Sequence, residues 1–147
     1  MQIQGSGLVT ISLWDGSEPI PIYGNGENIR DWLYVKDHCA ALLAVLKNGR
    51  PGENYNIGGN NELTNIDLVH QICAIFNEIY PEKNPHQSLI TFIPDRPGHD
   101  FRYAIDSTKI QRETGWQATA DFQNSLHLTA NWFIDQNSEA SERQSLK

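Results

Sequence analysis

The stretch TNIDLVHQICAIFNEIYP, Thr64 to Pro81, constrains the fold more than any other part of the chain. Ile66, Val69, Ile72, Cys73, Phe76, Ile79 and Tyr80 recur at the helical period, so one face of a helix is continuously apolar. Thr64 with Asp67 approximates a capping box at its start, and Pro81 stops it. A helix with such a face is stable only when other elements cover it, which makes this chain a packed domain with a core.

The remaining elements are shorter. After a flexible Gly5-Ser6-Gly7, Leu8 to Trp14 reads equally as strand or helix. Alternate prolines predict an extended segment over Ile20 to Tyr23, closed by the turn Gly24-Asn25-Gly26. VKDHCAALLAVLKNG predicts a helix capped by Asp37, with Ala40, Leu43 and Leu46 near one face and Gly49 as its stop. ENYNIGG reads as a short strand, and Ser88 to Ile93 as another. Asp106 is placed to cap a short helix through Glu113, stopped by Gly115. Asp121 is placed to cap the last helix, with Phe122, Leu126 and Phe133 in register. From Asn137 onward the tail is polar and expected to fray. The fold class is mixed α/β: a small domain of short strands and several helices.

Composition narrows the function classes. At 147 residues the chain has the length of one ordinary domain. It has no long apolar run, which argues against a membrane span, and Met1 to Gln4 show no secretory leader, so a soluble, cytoplasmic protein is expected. A net charge of -7 argues against broad nucleic-acid binding, which runs on basic surface. Cys39 and Cys73 lie far apart in helical patterns, are expected to be buried free thiols, and have no ligand spacing for zinc.

Anion binding therefore requires local convergence of a few arginines, and DRPGHD, Asp95 to Asp100, offers one. Pro97 and Gly98 shape a sharp turn that can aim Arg96 and His99 at one point. A guanidinium matches phosphate as a planar fork, and the imidazole adds a donor. The plainer reading is a surface turn in which Arg96 pairs with Asp95 or Asp100. In NIRDWLYVKD, Arg30 and Asp31 sit at the edge of a core, either as an ion pair or with Arg30 reaching a second phosphate oxygen. Tyr23 can pack a flat ligand, while Asn65 by itself reads as a helix cap. No G-x-G-x-x-G follows a strand, and no nucleophile elbow or metal signature is present.

Taken together, IYG-x-G-x-x-IRDW-x-YV, YNIGG-x-N-E and DRPGHD-x-RYAID closely resemble the C-terminal, substrate-binding part of the dTDP-glucose 4,6-dehydratases, within the extended short-chain dehydrogenase/reductase superfamily. The resemblance runs from about Pro19 to Trp132. It implies a nucleotide-sugar-binding domain over 19–136, a poorly matching segment over 1–18 and a polar tail over 137–147. It also implies that Pro21, Ile22, Tyr23, Arg30, Asn65 and the run Asp95, Arg96, Pro97, Gly98 and His99 hold the dTDP-sugar. In that family bound NAD oxidises the sugar at C4, water leaves across C5 and C6, and the hydride returns to C6. The Rossmann half that holds NAD, with its catalytic Tyr-x-x-x-Lys and acid-base pair, has no counterpart in these residues. The expectation is thus a truncated, substrate-binding half that binds no NAD itself and is inactive alone. Its partners would be a dTDP-sugar and either a Rossmann-domain partner or further copies of itself. A non-catalytic binding module, a degenerate remnant, and part of an epimerase or reductase remain alternatives; DRPGHD followed by RYAID favours the dehydratase.

Overall fold

A computed structural model describes residues 19–82 and 85–145, so the readings of Leu8 to Trp14 and of segment 1–18 lie outside the described residues. Strand β1 (Ile20–Tyr23) alternates buried and exposed, as a half-covered strand should: Ile20 and Ile22 face inward, Pro21 and Tyr23 outward. It pairs in parallel with β4 (Ile90–Ile93), Ile20 opposite Ile90 and Tyr23 opposite Ile93. Among the described residues this sheet has two strands, both of them edges, which tolerate Pro21. A second sheet pairs β2 (Ile29–Asp31) antiparallel with β3 (Glu62–Thr64). Helix α1 spans Val35–Asn48, α2 Asn65–Ile79, α3 Thr108–Thr114 and α4 Phe122–Ser145, with a 3-10 turn at His86–Leu89. No helix among the described residues is long and apolar enough to cross a membrane.

The core forms on α2, and of the expected face Val69, Ile72, Cys73 and Phe76 are buried while Ile79 is exposed. Leu68, Val69, Ile72, Cys73, Ile75 and Phe76 are buried against Ile20 and Ile22 of β1 and Ala130 of α4. Burial pushes the Cys73 thiol up to about 11, which makes it an inert packing group. Thr64 caps α2: its Oγ1 accepts from the Asp67 N–H at 3.1 Å and donates to the Asp67 carboxylate at 2.6 Å. A smaller cluster of Ala41, Ile110 and Trp116 joins α1 to α3.

Several expectations are corrected. Asp37 is not the cap of α1, which starts two residues earlier behind Tyr34. It is buried and accepts hydrogen bonds from the Ala120 N–H (3.0 Å) and the Thr119 hydroxyl (3.3 Å), tying α1 to the segment before α4. The Ala40, Leu43 and Leu46 face of α1 is exposed, and so is Cys39, because the helix buries Asp37 and Ala41 instead. ENYNIGG is not a strand: among the described residues no strand pairs with it, and Tyr55 and Ile57 pack on the α1–α3 cluster. The strand there is Glu62–Thr64, since β2 gives it a partner. Ser88 and Leu89 belong to the 3-10 turn, and β4 begins at Ile90. The tail expected to fray from Asn137 continues as helix to Ser145.

Candidate functional site

Parallel β1 and β4 end side by side, and their carboxyl ends open onto one surface, the place where parallel strands commonly present ligand-binding loops. The Gly24 N–H donates to the Ile93 carbonyl at 2.9 Å, so the loop leaving β4 starts against the turn leaving β1. That turn requires Gly26. Its φ is +78°, and a Cβ there would lie 2.8 Å from both Ile22 Cγ2 and Ile66 Cβ. From it the chain enters β2, and β2 receives the far end of the Asp95–Tyr103 loop. The Ile29 N–H donates to the Phe101 carbonyl (2.8 Å), and the Tyr103 N–H donates back to the Ile29 carbonyl (3.1 Å). The loop is therefore anchored at both ends.

Within it, Arg96 to His99 form a type II turn: Pro97 takes the second position, Gly98 the third with φ +71°, and the His99 N–H reaches the Arg96 carbonyl at 3.2 Å. The turn does not aim Arg96 and His99 at one point. His99 folds back, its side chain only 7% exposed, with Nδ1 at 2.6 Å from Asp95 Oδ1 and Nε2 at 2.9 Å from Arg30 Nη2. A carboxylate accepts and a guanidinium donates, so these two contacts suit a ring that donates from Nδ1 and accepts at Nε2. Arg96 itself uses only its backbone N–H, on Asp95 Oδ1 at 2.8 Å. Among the described residues its guanidinium has no hydrogen bond or ion pair, so the surface pairing with Asp95 or Asp100 does not form: Asp95 is engaged by His99 and Asp100 by Tyr103.

Arg30 is tied from several sides. Nη1 donates to the Ile29 carbonyl (2.6 Å), Nη2 to His99 and to the Asp100 carbonyl (3.0 Å), and the guanidinium lies 4.6 Å from the centre of the Tyr103 ring. It does not pair with Asp31. That carboxylate is buried and accepts the N–H groups of Gly59 (3.0 Å) and Asn61 (2.9 Å), fixing the Gly58–Asn61 loop to β2. Asn65 is not the cap of α2, which is Thr64. Its backbone N–H donates to the Asn28 carbonyl at 3.0 Å, beside β2, and its side-chain amide makes no hydrogen bond among the described residues.

The other expected residues separate by face. Pro21 and Tyr23 are exposed, with the Tyr23 ring edge-on to His99 at 6.1 Å, whereas the Ile22 side chain is spent in the core. Two residues that sequence reasoning passed over complete the surface. Tyr103 carries the Arg30 plane and donates its hydroxyl to Asp100, and Phe101 is exposed beside it. Only the pairing of β2 with residues 101–103 puts them there; the sequence carries no pattern for it. The hydrogen bond from His99 holds the Asp95 carboxyl below its ordinary value, with the Arg96 N–H and charge adding to it. The bond to Asp100 holds the Tyr103 phenol above its usual range. A mostly apolar recess between α2 and α4, lined by Trp32, Leu68, Ile72, Phe122 and Leu126 among others, contains neither arginine.

The fold and this surface place the chain in a known class. It belongs to the GDP-mannose 4,6 dehydratase family, whose sequence model matches residues 8–129. More narrowly, it is similar to dTDP-glucose 4,6-dehydratases. A probable one from Sinorhizobium fredii is 52% identical over 118 residues, 80% of this chain and 34% of that protein. The Salmonella typhimurium enzyme is 48% identical over 127 residues, 86% of this chain and 35% of that protein. Among solved structures, dTDP-glucose 4,6-dehydratase from Bacillus anthracis in complex with NAD has a TM-score of 0.75 at 41% identity, covering 90% of this chain and 39% of that one. The Streptomyces venezuelae enzyme, solved with NAD and a dTDP-type ligand, has a TM-score of 0.76 at 37% identity, covering 89% and 38%. The chain spans about a third of the length of the curated relatives it matches. These neighbours are extended short-chain dehydrogenase/reductase enzymes, so the fold is a partial domain of that architecture.

Proposed function

We propose that the surface at the ends of β1 and β4 binds the diphosphate of a dTDP-sugar, and that the chain acts as the nucleotide-sugar-binding part of a dTDP-glucose 4,6-dehydratase. The observation that carries this reading is Arg96, a guanidinium without a partner among the described residues, on the same turn as the His99 that bonds the anchored Arg30, in a chain of net charge -7. In this reading Arg96 supplies a full fork, Arg30 a fixed positive edge and His99 the spacing between them. Pro97 and Gly98 give the turn, and Asp95 orients His99. Pro21, Tyr23 and the free amide of Asn65 meet the nucleoside end, with the Ile22 backbone between them.

The activity of the relatives, loss of water from dTDP-glucose to give the 4-keto-6-deoxy sugar, comes to this chain only through that binding role. Gly24-Asn25-Gly26 leads from one strand to another rather than from a strand into a helix, and this reading assigns NAD to a part of the enzyme other than the described residues. No redox step is assigned to them. The partner for that chemistry is a Rossmann-type unit, or further copies of the chain cover its exposed apolar face. A cytoplasmic setting goes with this reading.

Calorimetric titration with dTDP tests it. Arg30→Ala and Arg96→Ala should each weaken binding about tenfold to a hundredfold, the worth of one charge-assisted contact. Arg112→Ala should not, because Arg112 lies exposed on α3 against Glu113. Equal affinities in all three would end the reading. Arg102 does not serve as the control, since it forks onto Glu62 at 2.7 and 2.8 Å and braces the loop.

A further inference from the structure

We propose that Asp95 is a positioning residue that acts on Arg30 through His99, and that this pair is a latch which proton uptake by His99 opens. The inference rests on the reading above, that the surface receives a nucleotide diphosphate. A guanidinium has two bidentate edges, Nη1 with Nη2 and Nε with Nη2, and both include Nη2. In this structure Nη2 is fully spent, on His99 Nε2 at 2.9 Å and the Asp100 carbonyl at 3.0 Å. Latched in this way, Arg30 has no complete fork to offer a phosphate and acts as a fixed charge. Arg96 alone carries a free fork among the described residues of this surface.

Asp95 is what keeps the latch closed. By taking the Nδ1 proton at 2.6 Å it leaves Nε2 as the acceptor that Arg30 needs. If Nδ1 and Nε2 exchanged roles, two donors would face each other at the 2.9 Å contact. A second proton on the ring has the same effect: Nε2 becomes a donor, the bond to Arg30 breaks, and one Nη2 N–H becomes available to a ligand oxygen. The charged and titratable groups around the latch are few. Asp95 lies on Nδ1 and Arg30 on Nε2, and Tyr23 of β1 is edge-on at 6.1 Å. Arg96 precedes the ring in the same turn and acts on Asp95, while the carboxylate of Asp100, the residue after His99, is bound by Tyr103, whose ring lies against Arg30. Among the described residues no carboxylate other than Asp95 hydrogen-bonds His99.

The ligand-free chain tests the latch first. Long-range proton–nitrogen NMR of the imidazoles at pH 8 should show His99 with its proton on Nδ1, and Asp95→Ala should lose that preference. A ring protonated on Nε2, or one indifferent to Asp95→Ala, overturns the proposal. If that variant does not fold, the wild-type tautomer together with Asp95→Asn decides. The probe for the second arm is dTDP-glucose, whose diphosphate keeps its charge between pH 5 and pH 8. Its affinity should rise about tenfold as His99 takes up its proton, the worth of one added charge-assisted hydrogen bond. That increment should vanish in both His99→Gln and Arg30→Ala. An increment that persists in Arg30→Ala means the imidazolium acts on the ligand directly, and a flat wild-type profile means no latch; either overturns the proposal. Absence of dTDP-glucose binding at every pH defeats the nucleotide-sugar reading instead, and the tautomer measurement then decides the Asp95–His99–Arg30 arrangement by itself.

Discussion

Asp95 illustrates how much of this site depends on single atoms. One carboxylate oxygen accepts both the His99 Nδ1–H and the Arg96 N–H, and the carboxyl is held below the value it has in the unfolded chain. A group with a lowered folded value contributes stability that is complete above its unfolded pKa, about 4, and is lost as pH falls through the folded value. Urea unfolding of the wild type should therefore lose stability between about pH 5 and pH 3 to a greater extent than Asp95→Asn; parallel losses would show that the bond to His99 has no energetic weight. The turn in DRPGHD was legible, because Pro97 and Gly98 supply the two backbone conformations it needs. The pairing of its side chains was not. Which of two carboxylates His99 meets depends on how β2 receives residues 101–103, and that contact lies outside any local pattern. The aromatic support of Arg30 by Tyr103 was hidden for the same reason.

Among the elements, α2 was the most legible because its period, cap and stop agree with one another. Thr64→Ala removes the acceptor for the Asp67 N–H and should cost about 1 kcal/mol, read as a lowered urea midpoint at unchanged slope. The turn between β1 and β2 is less forgiving. Gly26→Ala should cost about 1–2 kcal/mol from the backbone alone at φ +78°, with more from the contacts to Ile22 and Ile66. A circular dichroism melt matching the wild type would show that the turn relaxes without loss. Helix α1 was read correctly as a helix and incorrectly in its packing. Its period has two candidate faces, and the buried one is chosen by Asp37, whose carboxylate finds donors at Thr119 and Ala120 that no local rule anticipates. ENYNIGG shows the converse: β-branched and aromatic composition makes a strand only where another strand lies alongside.

At the scale of the molecule, the choice of face on α1 leaves Val35, Leu42, Leu43 and Leu46 exposed, Leu46 by 82%. On a chain that spans about a third of its relatives' length, such a stripe favours association. The purified chain should sediment as more than a monomer at high concentration, and Leu43→Glu with Leu46→Glu should shift it towards monomer while leaving its circular dichroism unchanged. A monodisperse wild-type monomer would remove the stripe as an interface. The parallel ladder of β1 with β4 has a different consequence, one of timing. Ile20 meets Ile90 only after a loop on the order of seventy residues has closed, whereas α2 can form from neighbours in microseconds. During synthesis β1 waits for its partner until about seventy further residues have been made. Arg30 follows β1 and Arg96 follows β4 in the chain, so the surface proposed to bind the diphosphate is assembled only after that long-range closure.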